Sequence, residues 1–192
     1  MTELAFAFPI LLLLIFGGLE IAQMAMTHLR VNQIAITVAD NAGRVRTGID
    51  ESNIYEVFSG ADLVGDPIAF KDNGRIVLSS LEPNGKTDAL EGQTVNWQRC
   101  YGDLAVDPRY ALEGTGENDA SLADGLGEGE NKIQSAEGTA VMFVEVSYRY
   151  TPLVSGIPGW GPQMIRYESA FNVRERTNQN ITNVQNLALK SC

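Results

Sequence analysis

Sixteen residues without a charged or strongly polar side chain, Leu4 to Leu19, lie between two glutamates, Glu3 and Glu20. At the helical rise such a run covers ~24 Å, a little less than the ~30 Å hydrocarbon core of a bilayer. The mildly apolar Ile21 to Met26 extends it to the length of a tilted span. A bare anchor needs none of the other features here. There is a carboxylate at each end, Pro9 removes one helical donor, and Gly17-Gly18 permits close approach of another helix or local melting. A cleaved secretory signal has a basic start and a small-x-small site. The first basic residue here is Arg30, and Ala22 and Ala25 do not form such a site. The pattern therefore argues against a cleaved signal.

From Leu29 the periodicity changes. Val31, Ile34, Ala35, Val38, Ala42, Val45 and Ile49 recur at three- and four-residue spacing, with Asn32, Gln33, Asp40, Asn41 and Arg44 on the other side. The spacing predicts one long helix from about Thr2 to Arg46, apolar all round in its first half and on one stripe in its second. Gly48 and Asp50-Glu51-Ser52 break it, and a short helix through Ile54 to Phe58 is expected to stop at Gly60.

Strand patterns follow Asp66-Pro67. Asn73-Gly74 reads as a turn, Arg75 to Leu81 as a strand, and Pro83-Asn84-Gly85 as another turn. Thr94 to Tyr101 reads as a second strand, with Val95, Trp97 and Tyr101 on one face and Cys100 on the other. Gly102 to Gly138 holds seven glycines and nine acids against Arg109 and Lys132, the composition of a functional or mobile loop. Two regular strands come next. One puts Met142, Val144, Val146, Tyr148 and Tyr150 on an apolar face; the other does so with Ile165, Tyr167, Phe171 and Val173. Period-two alternation predicts an antiparallel sheet with one covered face, and the helix stripe is the available cover.

Little in the chain points to catalysis. No P-loop, G-x-S-x-G, H-E-x-x-H or dinucleotide fingerprint occurs, and the single histidine, His28, has no partner at helical spacing. No cofactor is expected. Two cysteines do not make a structural zinc site without several histidines. Asp119, Asp124, Glu128 and Glu130 are the candidate calcium ligands of the acidic loop, but their spacing is not that of an EF-hand. A net charge of −10 excludes the phosphate-neutralising role that dominates nucleic-acid affinity. An even pair of cysteines, Cys100 and Cys192, suggests a disulfide formed in an oxidising compartment. Glu3 has two readings. A carboxylate near lipid is retained when it has a partner, such as the α-amino group of a neighbouring chain. Alternatively, it lies in the headgroup region, where the helix dipole favours it.

Thr2-Glu3-Leu4-Ala5-Phe6-Ala7-Phe8-Pro9, the leucine run, Gly17 and Glu20 together resemble the N-terminal segment of TadE-like pseudopilins of tight-adherence type IV pilus systems. Ile76 to Leu81, Val95 to Cys100, Val144 to Leu153 and Ser169 to Arg174 are similar to that family as well, and the acidic loop is not. The resemblance implies a type IV pilin-like subunit, taken from the inner membrane and assembled through its N-terminal helix. Glu3 would meet a neighbour's N-terminal amine and set the register, with Pro9, Gly17, Gly18 and Glu20 also serving assembly. One departure stands out. In processed pilins the glutamate is usually the fifth residue after a cleaved glycine, whereas here it is the third. The amine would then lie about half a helical turn from its usual place.

The expected architecture is α+β: a long N-terminal helix packed on an antiparallel sheet. Residues 1–28 form the transmembrane or filament-core half of the helix, and residues 29–192 a globular pilin-like domain that includes the acidic loop 102–138. The expected role is a major or minor structural subunit of a surface filament, not an enzyme. Its partners are copies of itself or other pilins, the inner membrane before assembly and the assembly machinery. The competing class is a membrane-tethered periplasmic binding module whose acidic loop contacts a partner or calcium.

Overall fold

The computed structural model describes residues 2–154 and 161–192, with side chains from Phe6 onward except that of Asp88. A single helix, α1 (Thr2–Arg44), passes through Pro9 without a break. It is long and apolar enough to cross a membrane. Its two halves differ as the periodicity requires. Phe6, Leu13 and Leu19 are 79%, 67% and 57% exposed, whereas Val31, Ile34, Ala35, Val38, Ala39 and Ala42 are fully buried.

After a two-residue strand, β1 (Ile49–Asp50), comes α2 (Glu51–Gly65). It opens on a capping box: Asp50 accepts from Ser52 N at 3.1 Å, and Asn53 Oδ1 accepts from Asp50 N at 3.0 Å. Expected to stop the helix, Gly60 lies inside it. It has open space around it and no positive φ, so the helix continues on the buried face of Ile54, Val57, Phe58 and Ala61. A glycine lowers helix propensity by only about 1 kcal/mol, which this packing overrides.

A short helix, α3 (Phe70–Asn73), leads into β2 (Gly74–Pro83). Asn73-Gly74 is not a hairpin turn. Gly74 is extended, and a Cβ there would lie 2.4–2.6 Å from the Phe70 ring, which packs directly over it. The remaining strands are β3 (Gln93–Tyr101), β4 (Val141–Tyr150), β5 (Gln163–Asn172) and β6 (Ile181–Thr182). β2, β3, β4 and β5 form an antiparallel sheet in the order β3-β2-β4-β5, and β1 pairs in parallel with β6.

The amphipathic half of α1 packs on β4 and β5, with α2 beside it. One core joins the α1 stripe to Met142, Val144, Val146, Tyr148, Tyr150 and Ile165, the apolar faces that the alternation marks. This is the α+β arrangement expected from the sequence. Two features differ. A bulge at Asn96 shifts the β2–β3 register, so Ser80 faces Trp97 while Leu81 faces Val95. Trp97 therefore joins the helix-side core and Val95 the opposite side. The second difference is that both faces of the sheet are covered. The acidic loop folds across the far face, burying Ala111, Leu122 and Leu126 against Leu81, Val95, Val141 and Phe143. Polar side chains and backbone hold it there. Gln98 Nε2 donates to Ala111 O at 2.9 Å, and Gln93 exchanges two bonds with the Ser135 backbone. A Cβ at Gly116, which has φ +82°, would fall 2.1 Å from Gln93 O.

Candidate functional site

The feature that stands apart from the packed domain is the first half of α1. Phe6, Phe8, Ile10, Leu11, Leu13, Leu14, Ile15, Phe16 and Leu19 are exposed on every side of the helix. Contiguous apolar surface of this extent is far beyond what a soluble monomer leaves in water and marks a lipid or protein contact. Pro9 and Gly18 lie within it, and nothing approaches a Cβ position at Gly18. Gly17 is half-buried. The Glu3 side chain, the expected register-setting carboxylate, lies outside the described residues.

Glu20 ends this stretch. Among the described side chains it is the first buried one along α1, and it is 5% exposed. The Tyr150 hydroxyl donates to its Oε1 at 2.5 Å, and the backbone N–H groups of Leu153 and Val154 donate to Oε2 at 2.9 and 3.2 Å. Burial, and then the Glu20 carboxylate, pushes the Tyr150 hydroxyl above its ordinary value, so it stays a donor. The strand pattern places Tyr150 on the helix-facing side, but nothing in the sequence links it to a residue 130 positions away. One turn on, Met24 packs against the core, and further along His28 Nδ1 meets the Tyr167 hydroxyl at 3.1 Å, ring edge to face. The histidine is thus part of the helix–sheet contact.

Cys100 and Cys192 are joined, with Cα atoms 4.9 Å apart. The C-terminal segment, which its polar composition suggests would bury little, is held along the edge of β3 and the side of α2. Cys100 N donates to Lys190 O at 2.6 Å, Tyr55 donates its hydroxyl proton to Ala188 O at 2.7 Å, and Lys190 Nζ lies 4.6 Å from the Tyr55 ring centre. Trp97 Nε1 donates to Gln179 O at 3.0 Å.

The four calcium candidates do not converge. Asp119 accepts from Ser121 N at 2.8 Å, Asp124 meets Lys132 at 3.4 Å, and Glu128 pairs with Arg109 at 2.8 Å. Among the described residues no group of three or more acids, histidines or cysteines is placed to hold a metal. Two polar clusters escaped sequence reasoning because their members are far apart in the chain. Glu51 and Arg99 form a buried pair at 2.6 Å, with Glu113 on the guanidinium's other nitrogen at 3.1 Å. On the loop-covered face, Glu145 stands opposite Glu168 in the β4–β5 register. Glu145 Oε2 accepts from Arg109 N at 2.9 Å, while Oε1 is buried without a partner. Burial, with Glu168 adding to it, pushes the Glu145 carboxyl up to about 7.

No curated protein and no solved structure matches the chain. Residues 1–40 match the family described as TadE-like protein. The match covers the exposed half of α1, Glu20 and most of the stripe that packs on the sheet. Over this N-terminal segment, about a fifth of the chain, it is similar to that family, and the motif running from Glu3 to Glu20 lies within the match.

Proposed function

We propose that this chain is a structural subunit, pilin or pseudopilin, of a type IV-like surface filament. The observation that carries the reading is the projecting half of α1, whose exposed apolar side chains run from Phe6 to Leu19 ahead of a fully packed α+β domain. The TadE-like match over residues 1–40 supports the same reading. Before assembly the projecting half lies in the inner membrane; afterwards it is bundled with the same segments of other copies, or of other pilins, in the filament core. Exchanging lipid for neighbouring helices keeps every apolar side chain out of water in both states. Pro9 and Gly17-Gly18 let the helix bend or melt locally as it is packed. Glu3 pairs with a neighbouring amine and sets the register of addition.

The test is Glu3→Ala in the native host, with sheared surface material examined by electron microscopy and immunoblotting. The expected result is loss of the chain from the sheared fraction while it persists in the membrane. Unchanged filaments would remove Glu3 from assembly. If the chain is never found in a filament in the wild type, the proposed function is wrong.

A further inference from the structure

Resting on the membrane-inserted state just proposed, we infer that the base of the globular domain around Glu20 is a lipid-contacting rim, seated at the headgroup–acyl boundary by the Glu20–Tyr150 contact. Three observations converge. Glu20 binds the backbone of Leu153 and Val154, which belong to no helix or strand. Irregular backbone is not tolerated facing hydrocarbon, so the hydrocarbon ends at or before Glu20. The uncharged run from Leu4 to Leu19 covers ~24 Å, which the bilayer meets by modest local thinning. This puts the lipid-embedded limit at Glu20 rather than near residue 28. Leu153 and Ile21, the apolar residues flanking the contact, are 68% and 66% exposed. Ile21 follows the exposed apolar run on the same helix, and Leu153 is carried on the connection whose backbone binds Glu20, at the depth where acyl chains give way to headgroups. Apolar side chains at that level insert several ångströms into the boundary. Before assembly the occupant of this surface is lipid. Tyr150 and Glu20 act as positioning residues, fixing the angle and height at which the domain sits.

The full-length chain, reconstituted in phosphatidylethanolamine–phosphatidylglycerol vesicles, carries a fluorescent amino acid either at Leu153 or at Leu13. Lipids bearing doxyl quenchers near the headgroup or near the acyl-chain end report depth. A probe at 153 leaves the backbone contact with Glu20 in place. Quenching at 153 is expected from the headgroup-proximal doxyl, about twofold more than from the deep one, and the reverse at 13. Tyr150→Phe is expected to lower quenching at 153 in part, and Glu20→Ala to abolish the depth preference there, both without effect at 13. If 13 is quenched and 153 is not, the rim inference fails while the membrane reading stands. Shielding of 153 from aqueous iodide without doxyl quenching would place a protein there instead of lipid and overturn it. Equal quenching at 153 in wild type and Glu20→Ala would remove the positioning role. Absence of quenching at 13 overturns the membrane reading and the inference together.

Discussion

Tyr150 donates its phenolic proton to Glu20 Oε1 at 2.5 Å, joining the last residue of β4 to the point where α1 leaves the globular domain. Both residues are at most 5% exposed, so the bond is made away from water. Hydrogen bonds to charged groups contribute about 1.5–3 kcal/mol. Tyr150→Phe should lower the unfolding free energy by that order. Glu20→Ala should cost more, because it strands the Tyr150 hydroxyl and two backbone N–H groups. Denaturant unfolding in mild detergent measures both; equal stability of Tyr150→Phe and wild type would show the contact to be energetically idle.

The Glu51–Arg99 pair ties the first turn of α2 to β3. Glu51 is 1% exposed, and its Oε2 has no partner. Breaking a buried pair from one side costs about 3–5 kcal/mol, because the remaining charge is stranded. Arg99→Met should be destabilising by that order. Adding Glu51→Leu should recover most of the loss, and a double-mutant cycle in denaturant reads the coupling. Additive effects would contradict it.

Glu145 makes stability depend on pH. Its folded carboxyl is raised from the ordinary 4.5 to about 7 by burial, with Glu168 opposite and the Arg109 backbone N–H as a partial counterweight. A raised folded value means the stability from the bound proton is complete below about pH 4.5 and is lost as pH rises through about 7. Glu145→Gln keeps an acceptor for Arg109 N and removes the titration. It should stabilise the chain above pH 7 by up to roughly 3 kcal/mol and change little at pH 4.5. Unfolding midpoints across that range check the sign; stabilisation confined to low pH would refute it.

The Cys100–Cys192 bond spans 92 residues of sequence. Closing a loop of that size is worth about 4–5 kcal/mol in the chain-entropy account. Reduction should lower the unfolding midpoint accordingly and expose the segment from Asn183 to Cys192 to proteases, which mass spectrometry would locate. A reduced chain with an unchanged midpoint would show that hydrogen bonds alone hold the tail.

Residues governed by local periodicity were legible in the sequence. The α1 stripe from Val31 to Ala42 and the marked faces of β4 and β5 pack on one core, with Tyr167 and Phe171 half-buried at its edge, because three-to-four and two-residue repeats map directly onto one face. Placement that depends on a single irregularity was not legible. The bulge at Asn96 moves Val95 to the other side of the sheet with no composition signal. The acidic loop reads as solvated because its few apolar residues, Ala111, Leu122 and Leu126, are scattered among acids; only the folded chain gathers them over Phe143. Glu20 is conspicuous in the sequence as a carboxylate ending an apolar run, but its partners come from a strand end and a connection about 130 residues on, which no spacing rule reaches. The run of exposed apolar side chains from Phe6 to Leu19 was legible in the sequence, and it carries the functional reading.

The most direct measurement replaces Leu13, 67% exposed on that half, with a photo-crosslinking amino acid in the native host, followed by irradiation of sheared surface filaments. Covalent products between this chain and copies of itself, or other pilins of the same filament, are expected in the sheared fraction. A chain confined to the membrane fraction, crosslinked only to lipid or to proteins outside any filament, would contradict the proposed function.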